Sequence, residues 1–402
     1  MKEKRPQLNL RAACAVGGRP GLLRVAPDAS KVFVFDLEAP RITVVGTARM
    51  DVLQKIDLGT HRPGARLFLG SSERALYCAG PGNKIAVFDP ATMQVEGSID
   101  CGALACDLGF LPGERQAVLT FSSGAKGGVA LLETAGLSCV SLLPLLLAPV
   151  PETLTLSAPR GLGAALVASA PGRAEGVVVW SVDPFEHLFT IPVQGGPRSL
   201  AFAPAGPALF VSCAEASELV VIDVERRRMA QRYRMAGRPF QVEAEPAGRN
   251  LWALCEGLGH LAGIDMRFGT VHAKVRLDGV VSSRNRFSFS PEGKLLVVPE
   301  SGTGSVALVD TDRRGGRYGE LADRLELGRQ VACAAWGPLG DEVFVTDESL
   351  GAVLALGVDR GDQELQDTND YLVGRRPDKP VNLPYPDSEF PGQGRKNPLF
   401  PP

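Results

Sequence analysis

Residues 196–237, GPRSLAFAPAGPALFVSCAEASELVVIDVERRRMAQRYRMAG, contain four short runs with strand-like patterns, joined by turns. The first run leads into a Pro-x-Gly turn, the second into a polar loop, the third ends in aspartate and the fourth ends before glycine. Short runs rich in β-branched and apolar residues, separated by Gly, Pro and polar clusters, are typical of β-strands. Residues 196–237 therefore predict a unit of four strands.

The same order of elements occurs in the next two stretches, residues 238–279 and 280–328. The aspartate that ends the third strand marks the period. It stands at four places: Asp89, Asp223, Asp265 and Asp310. Successive units are about 42 to 49 residues long, which is the length of a four-stranded blade of a β-propeller.

Eight copies of the first strand can be counted along the chain. They lie near Leu22, Leu67, Leu108, Leu154, Leu200, Val242, Phe287 and Ala332. Proline sets φ for the turn that follows the first strand, and glycine supplies the positive φ that the turn needs. The sequence therefore predicts an all-β, eight-bladed β-propeller. Seven blades are the alternative, because residues 103–195 repeat least regularly.

The chain divides into three parts on this interpretation. Residues 1–17 are an N-terminal closing strand, in which residues 7–16 complete the last blade and remove an exposed strand edge. Residues 18–360 are the propeller repeats. Residues 361–402 are an extended, proline-rich C-terminal tail, because eight prolines fall within residues 375–402 and no strand or helix period is present.

The tail contains more apolar side chains than a simple spacer needs. One interpretation is that it lies over its own propeller, and another is that it docks on a partner protein. A third is that the tail is disordered. The candidate partner-binding residues are Tyr371, Leu372, Tyr385, Phe390, Leu399 and Phe400.

Composition excludes several classes of function. The 46 glycines and 31 prolines make the chain rich in turns, yet 45% of the residues are hydrophobic, unlike a disordered chain. The balance of 43 basic and 45 acidic residues argues against binding to nucleic acid or to an anionic membrane surface. No apolar run is long enough to span a membrane. No signal peptide is visible, so a cytoplasmic location is expected, or a periplasmic one if the numbering starts after processing.

Segments such as PRSLAFAPAGPALFVSCAEASELVVIDVE resemble the YVTN-type propeller repeats of bacteria and archaea. The resemblance covers about residues 18–360 and is strongest in residues 196–311. The copies depart from the family pattern, since LFVSC, LWALC and LLVVP stand where the namesake strand would be. Related propellers include sugar-lactone hydrolases and the haem-carrying domain of a nitrite reductase, which has eight blades. The resemblance implies a fold and leaves the function open.

Arginines recur in the predicted connections between blades, where loops of a propeller meet at one end of the central channel. The candidate ligand-binding residues are Arg19, Arg62, Arg198, Arg238, Arg284 and Arg329, with His61 and His260 in loops on the same face. Converging guanidinium groups can hold a polycarboxylate or a phosphate by paired hydrogen bonds.

Carboxylates follow the second strands on the same predicted face, and they offer a different interpretation. They are Asp36, Glu38, Glu215, Glu218, Glu256, Glu300, Asp347 and Glu348. Opposite charges that alternate around one rim can pair with each other, so these residues can form a structural ring. Partly exposed pairs of this kind contribute about 0 to 1 kcal/mol each.

No catalytic motif stands out. The four histidines have no metal-ligand spacing, no GxSxG nucleophile motif is present, and the eight cysteines form no CxxC pair. The cysteines are expected to be buried, reduced thiols, and the three tryptophans are expected to pack in the core.

Two hypotheses about function follow. The first is a non-catalytic scaffold, without a cofactor, that docks other protein subunits through its rim loops and tail. The second is a ligand-binding or redox accessory propeller that holds an anionic tetrapyrrole-like cofactor or a sugar acid on the arginine rim. A lactone hydrolase is a more distant third.

Overall fold

The computed structural model describes residues 5–57, 66–69, 75–78, 84–89, 92, 94–100, 103–134, 138–169, 175–246, 248–256, 259–266, 269–279, 286–314, 316–328 and 330–360. Within these ranges the chain is all-β, apart from one short 3-10 turn at Ala158–Arg160. The strands form eight antiparallel sheets, which we number I to VIII along the chain. The prediction of an all-β fold built from four-stranded units is confirmed.

The N-terminal half begins with β1 (Gln7–Ala15), which pairs with the last sheet. Sheet I is β2 (Pro20–Val25), β3 (Lys31–Asp36), β4 (Arg41–Gly46) and β5 (Asp51–Asp57). Sheet II is β6 (Arg66–Leu69), β7 (Ala75–Cys78), β8 (Lys84–Asp89) and β9 (Gln94–Asp100). Sheet III is β10 (Leu104–Phe110), β11 (Gln116–Ser123), β12 (Lys126–Glu133) and β13 (Ser138–Leu145). Sheet IV is β14 (Ala148–Pro149), β15 (Thr155–Ser157), β16 (Leu162–Ala168), β17 (Gly176–Ser181) and β18 (Glu186–Pro192).

The C-terminal half contains the other four sheets. Sheet V is β19 (Pro197–Phe202), β20 (Ala208–Cys213), β21 (Glu218–Asp223) and β22 (Arg228–Arg234). Sheet VI is β23 (Arg238–Ala244), β24 (Asn250–Glu256), β25 (His260–Asp265) and β26 (Thr270–Arg276). Sheet VII is β27 (Ser288–Phe289), β28 (Leu295–Glu300), β29 (Ser305–Asp310) and β30 (Leu321–Glu326). Sheet VIII is β31 (Val331–Trp336), β32 (Glu342–Asp347), β33 (Ala352–Asp359) and β1.

The repeat predicted from the sequence agrees with these bounds. Each expected first strand lies within or next to the first strand of a sheet, and the four aspartates that mark the period end β8, β21, β25 and β29. Sheet IV is the irregular copy, because its first strand is divided into β14 and β15, which both pair with β16.

The strands of a sheet differ in burial according to their position. In sheet V every residue of the second strand, β20, is buried, whereas the last strand, β22, is mostly exposed or partly exposed. A strand that is covered on both faces consists mostly of consecutive apolar residues, as β20 (ALFVSC) does. A strand that meets water on one face is amphipathic. The run of apolar residues in β20 therefore reflects a sheet that is packed on both sides.

Glycines close the turns between first and second strands with positive φ. Gly206, Gly248, Gly293 and Gly340 have φ values of 83°, 78°, 72° and 74°. The amide of Gly248 donates to the carbonyl of Glu245 at 2.8 Å, which closes one of these turns. The Pro-x-Gly signal predicted this geometry, because glycine adopts positive φ without steric cost.

Consecutive sheets pack against one another, and the core lies between them. Between sheets V and VI, Phe210 and Val221 pack with Ala253 and Ile264. Apolar clusters of the same kind join sheets II to III, III to IV, IV to V, VI to VII and VII to VIII. Sheets I and II contact each other through β2 and β6.

The last sheet also packs on the first. Phe344 and Val353 of sheet VIII lie in one apolar cluster with Leu23 and Val34 of sheet I. The first strands β2 and β31 are in contact at this junction. In the described residues, each sheet therefore contacts the next one along the chain, and sheet VIII contacts sheet I.

The N-terminal strand completes sheet VIII, as the sequence predicts. In the antiparallel register, Gln7 lies opposite Asp359 and Ala15 lies opposite Ala352. The amide of Val16 donates to the carbonyl of Gly351 at 2.8 Å and extends the pairing. The sheet that contains β33 thus takes its last strand from the other end of the chain.

Deletion of residues 1–16 should destabilise the protein strongly. The deletion leaves the edge of β33 unpaired and removes the buried side chains of Leu8, Cys14 and Val16, so we expect a loss on the order of 5 kcal/mol in the free energy of unfolding. The exposed edge should also promote aggregation. Urea unfolding and light scattering measure both effects.

Deletion of residues 1–5 is the matched control, because Arg5 is more than half exposed, its ion pair with Glu320 is 3.7 Å long and the buried Pro6 is kept. Equal stability of the two deletion variants would contradict a structural role for β1.

Candidate functional site

The antiparallel order of each sheet places two kinds of connection at opposite ends. Turns from the first to the second strand and from the third to the fourth lie at one end, which we call the hairpin end. Loops from the second to the third strand, and from one sheet to the next, lie at the other end, which we call the connector end. In sheet VI, Arg238, Glu256 and His260 lie at the connector end, and Asn250 lies at the hairpin end.

The described candidate arginines all lie at connector ends. Arg19 directly precedes β2, Arg198 is the second residue of β19, and Arg238 is the first residue of β23. The remaining candidates, Arg62, Arg284, Arg329 and His61, lie outside the described residues, as do Tyr371, Leu372, Tyr385, Phe390, Leu399 and Phe400 of the tail.

Arg19 forms the kind of pair that a structural ring requires. Its Nε atom lies 2.7 Å from Oε2 of Glu348, so the pair joins the connector ends of sheets I and VIII. Within the described residues, this is the single ion pair between a candidate arginine and one of the rim carboxylates.

Other arginines occupy several of the rim carboxylates. Nη2 of Arg41 lies 2.7 Å from Asp36, and Nη1 of Arg232 lies 2.9 Å from Glu218. Burial opposes ionisation of Asp36, but hydrogen bonds from the amides of Glu38 and Ala39 and from Arg41 outweigh it and lower the pKa of Asp36. These acids therefore stabilise loops and are not open to a ligand.

Glu300 has no exposed surface, a property that it shares with Asp347 among these carboxylates. It accepts hydrogen bonds from Nε of Arg324 at 2.8 Å, from the hydroxyl of Ser305 at 2.7 Å and from the amide of Asp278 at 2.8 Å. Arg324 also contacts the carboxylate of Asp278. Because Asp278 lies in the connection from sheet VI, Glu300 ties that connection to sheet VII.

Arg198, Arg234 and Arg238 remain exposed at the connector ends of sheets V and VI. None of the three forms an ion pair with another residue in the described ranges. Glu215 and Glu256 lie at the same ends, and Glu256 is opposite Arg238 in the register of β23 and β24. The surface is therefore one of mixed charge in which three guanidinium groups are accessible.

His260 lies under this surface. Its side chain is 3% exposed, and its Nδ1 atom is buried without a hydrogen-bond partner. Burial lowers the pKa of His260, and the charge of Lys274 lowers it further, so the imidazole is neutral at pH 7. A Cβ atom at Gly237 would be 3.0 Å from Cε1 of His260. The ring is thus enclosed between the chain at Gly237 and its own sheet.

A buried polar network that the sequence pattern did not indicate lies at the hairpin ends of sheets VI and VII. Glu245, 3% exposed, accepts hydrogen bonds from Nε1 of Trp252 and from Nδ2 of Asn250, both at 2.9 Å. The hydroxyl of Tyr318 also donates to Glu245, and Arg313 donates to the side-chain oxygen of Asn250. Arg313 and Tyr318 belong to sheet VII, so the network joins the two sheets.

The polar groups of this network are satisfied by one another. Nε2 of His272 lies 3.1 Å from the side-chain oxygen of Asn250, and the guanidinium of Arg313 lies 5.2 Å from the centre of the Tyr318 ring. Burial, followed by the charge of Glu245, raises the pKa of Tyr318. A buried network with its partners in place acts as a rigid joint. The network is recognisable only by the unusual burial of Glu245, and burial cannot be deduced from a single sequence.

The predicted core residues behave largely as expected. Trp180 and Trp252 are fully buried, and burial raises the pKa of Cys213 to about 11 and that of Cys255 to about 12. Cys139 is exposed, which differs from the expectation of buried thiols. The difference arises because Cys139 lies in β13, the last strand of sheet III.

Two further carboxylates, Glu243 and Glu152, lie in or next to first strands of the sheets. Glu243 lies in β23, and Nε2 of Gln241 in the same strand is 3.5 Å from its Oε2. Burial raises the pKa of Glu243 to about 7, although the charge of Arg286 opposes this. Arg286 in turn pairs with Glu152 at 2.9 Å. Arg286 precedes β27 and Glu152 lies between β14 and β15, so the pair joins sheets VII and IV.

Comparison with models of known families and with curated protein sequences gives no match. Among the described residues, no group of three or more His, Cys, Asp or Glu side chains is placed to hold a metal ion. In the same part of the chain, no helix has the length and apolar character needed to cross a membrane.

Glu243→Gln should change how stability depends on pH. The folded-state pKa of about 7 lies above the ordinary value of 4.5, so the folded protein binds more protons than the unfolded protein between these values. The free energy of unfolding of the wild-type protein should therefore fall as pH rises from about 5 to about 7.5. Glu243→Gln lacks this loss, on the order of 2 kcal/mol.

Urea unfolding at both ends of this pH range measures the effect, and the exposed Glu215→Gln is the control. A wild-type slope equal to that of Glu243→Gln would show that the carboxyl group is well solvated.

Proposed function

We propose that the eight sheets are the blades of a β-propeller of the YVTN type, closed by β1. The packing of each sheet on the next, and of sheet VIII on sheet I, supports the proposal. The ion pair between Arg286 and Glu152 also supports it, because sheets IV and VII are not consecutive. In a propeller the first strands surround one central channel, so residues of sheets that are not consecutive can lie close enough to form an ion pair.

We further propose that the protein is a non-catalytic scaffold that docks a partner protein. The observation that carries this proposal is the composition of β13. Among the last strands of the eight described sheets, it alone contains no Asp, Glu, Lys or Arg. Val140 and Leu142 in this strand are 54% and 58% exposed, and Leu146 directly after it is 85% exposed.

An uncharged strand edge exposed to water is unusual, because charged residues normally protect edges against unwanted pairing. The other last strands carry such charges; β22, for example, contains Arg228, Arg232 and Arg234. A partner that adds an extended, uncharged strand along β13 would cover the apolar side chains and supply main-chain hydrogen bonds. Pro144 has no backbone N–H, which limits the length of the pairing.

The tail and the rim belong to the same proposal. Tyr371, Leu372, Tyr385, Phe390, Leu399 and Phe400 would provide apolar anchors in the tail, and the exposed arginines of sheets V and VI would provide charged contacts at the rim. Several weak sites linked in one chain bind more tightly than any one of them.

Leu142→Lys should abolish capture of the partner from an extract of the native host. The substitution places a charge on the surface that the partner covers, and we expect at least about a tenfold loss of the captured protein. Quantitative mass spectrometry of the captured material measures it.

Leu53→Lys is the matched control, because Leu53 is 46% exposed on the last strand of sheet I, which already contains charges. A version that ends at Arg360 measures the contribution of the tail. The same proteins at the same yield with Leu142→Lys and Leu53→Lys would refute docking on β13.

A second candidate function is the binding of an anionic ligand, such as a tetrapyrrole or a sugar acid. The accessible Arg198, Arg234 and Arg238 at neighbouring connector ends favour it, since accessible guanidinium groups bind carboxylates by paired hydrogen bonds.

A porphyrin with propionate groups and glucuronate are suitable probes. If one of them binds, the melting temperature should rise by a few degrees at about 100 times the dissociation constant. The rise should disappear in Arg198→Ala/Arg238→Ala and persist in Arg49→Ala, which removes an exposed arginine at the hairpin end of sheet I. No rise with either probe at millimolar concentration would exclude these ligands.

A further inference from the structure

Cys255 and His260 lie opposite each other at the connector end of sheet VI. Cys255 is the penultimate residue of β24, His260 is the first residue of β25, and the two are partners in the antiparallel register. Residues paired in this way have Cβ atoms about 4.5 to 5.5 Å apart and side chains on the same face of the sheet. The thiol and the imidazole are therefore neighbours across the two strands.

A glycine covers both side chains. Gly237 lies in the connection from sheet V to sheet VI, and a Cβ atom there would be 3.0 Å from Cε1 of His260 and 3.1 Å from Cβ of Cys255. The backbone at Gly237 thus contacts both residues at one point. Because Cε1 is bonded to Nδ1, this nitrogen is one bond away from the place where the two side chains meet.

Neither group has a strong partner among the described residues. Nδ1 of His260 is buried without a hydrogen bond, although buried polar atoms are normally satisfied. The thiol of Cys255, which has no exposed surface, is 4.0 Å from the carbonyl of Ala253, and a contact of this length is weak. A ring nitrogen and a thiol are therefore available side by side in the interior.

The surroundings favour a soft ligand. Cys255 belongs to an apolar cluster between sheets V and VI that also contains the thioether of Met235. Within the described ranges, no carboxylate joins Cys255 and His260 in a group of three metal-binding side chains. Hard cations such as Ca²⁺ and Mg²⁺ require oxygen ligands, whereas thiolate and imidazole groups suit copper.

The balance of charge favours a monovalent ion. Without a metal ion both groups are neutral, because burial lowers the pKa of His260 and raises the pKa of Cys255 to about 12. A metal ion that binds Sγ displaces the thiol proton, which passes to the solvent. A monovalent ion then leaves no net charge in the site, whereas a divalent ion leaves one positive charge in an apolar interior, where charge is costly. The nearby charge of Lys274 would increase that cost.

We propose that Sγ of Cys255 and Nδ1 of His260 bind one Cu(I) ion at the junction of sheets V and VI, beneath Gly237. One Cu⁺ enters and forms bonds to Sγ and Nδ1, one proton leaves the thiol, and no electron is transferred. The site gives the protein a capacity to hold a soft metal ion that neither docking at β13 nor the exposed arginines provides, and it depends on neither.

The site is buried but lies close to the surface. His260 and Met235 are both at the connector end, below the exposed Arg198, Arg234 and Arg238. Three guanidinium groups repel a free cation and attract an anion. Cu(I) should therefore be exchanged most readily with an anionic complex that carries it.

Competition with the coloured, anionic Cu(I) complex of bicinchoninate measures the site in the purified, reduced full-length protein. Cys139→Ser is used as the background, because Cys139 is exposed and would bind copper by itself. We expect this background to withdraw one equivalent of Cu(I) under nitrogen. Cys255→Ala and His260→Leu should each weaken this binding at least about a hundredfold, since loss of a supporting residue alone costs about 10- to 100-fold.

Cys213→Ala is the matched control. Cys213 is as buried as Cys255, and each lies opposite a proline of the first strand of its sheet. The partner of Cys213 on the third strand is Glu218 and not a histidine, so this variant should bind Cu(I) like the background. X-ray absorption of the Cu(I)-loaded background should show one sulfur and one nitrogen neighbour. Circular dichroism checks that each variant is folded.

Three results would overturn the proposal. The first is equal affinity for Cu(I) in Cys255→Ala and Cys213→Ala. The second is an absorption spectrum in which sulfur atoms are the only neighbours of copper. The third is Zn(II) bound as tightly as Cu(I), which would contradict the selection by charge. Because no partner protein is present, none of these results bears on docking at β13.

Discussion

Burial of both faces of a sheet is the constraint on which the described part of this structure depends. The second and third strands are apolar on both sides, as in β20, where all six residues are buried. Such a sheet cannot be stable by itself, because half of its apolar surface would remain in water. Each sheet therefore needs a neighbour on either side, and the series has no natural end until sheet VIII packs on sheet I. The pairing of β1 with β33 follows from the same need, since it joins the two ends of the chain within one sheet.

Because the sheets pack on one another, few of the polar side chains inside them are free to bind a ligand. Glu300 is wholly buried and holds the connection from sheet VI, while Glu245 accepts hydrogen bonds from Trp252 and Asn250 and from Tyr318 of the neighbouring sheet. These carboxylates join adjacent sheets at opposite ends, one at the connector end and one at the hairpin end. A buried charge is tolerated when its hydrogen bonds are satisfied, and here the partners come from two sheets. The groups that remain accessible are on loops, on the last strands and in the turns.

The accessible surface is accordingly divided into regions of different character. The last strand of sheet III is uncharged and apolar, the connector ends of sheets V and VI carry mixed charge, and Arg227, Arg228 and Arg314 are exposed at the hairpin ends of sheets V and VII. A repetitive scaffold can diversify in this way because each copy contributes the same strand positions, and the exposed positions are not constrained by packing.

The sequence by itself determined the strands, their period and their turns. The Pro-x-Gly turns, the aspartates that end the third strands and the amphipathic last strands are local signals, and the structure places each of these features where the pattern predicts it. Pairing of residues 7–16 with the last unit was also predictable, because that unit has three strands and lacks a fourth. The tertiary structure decided which charges meet. Arg19 pairs with Glu348 across 329 positions of sequence, Asp36 and Glu300 take arginines that the repeat pattern did not single out, and Glu245 is buried by a loop of the next sheet. An ion pair between two sheets depends on the directions of the two side chains and on how far burial removes water from the charges, over distances of a few ångströms. Neither is encoded in the spacing of residues along one strand.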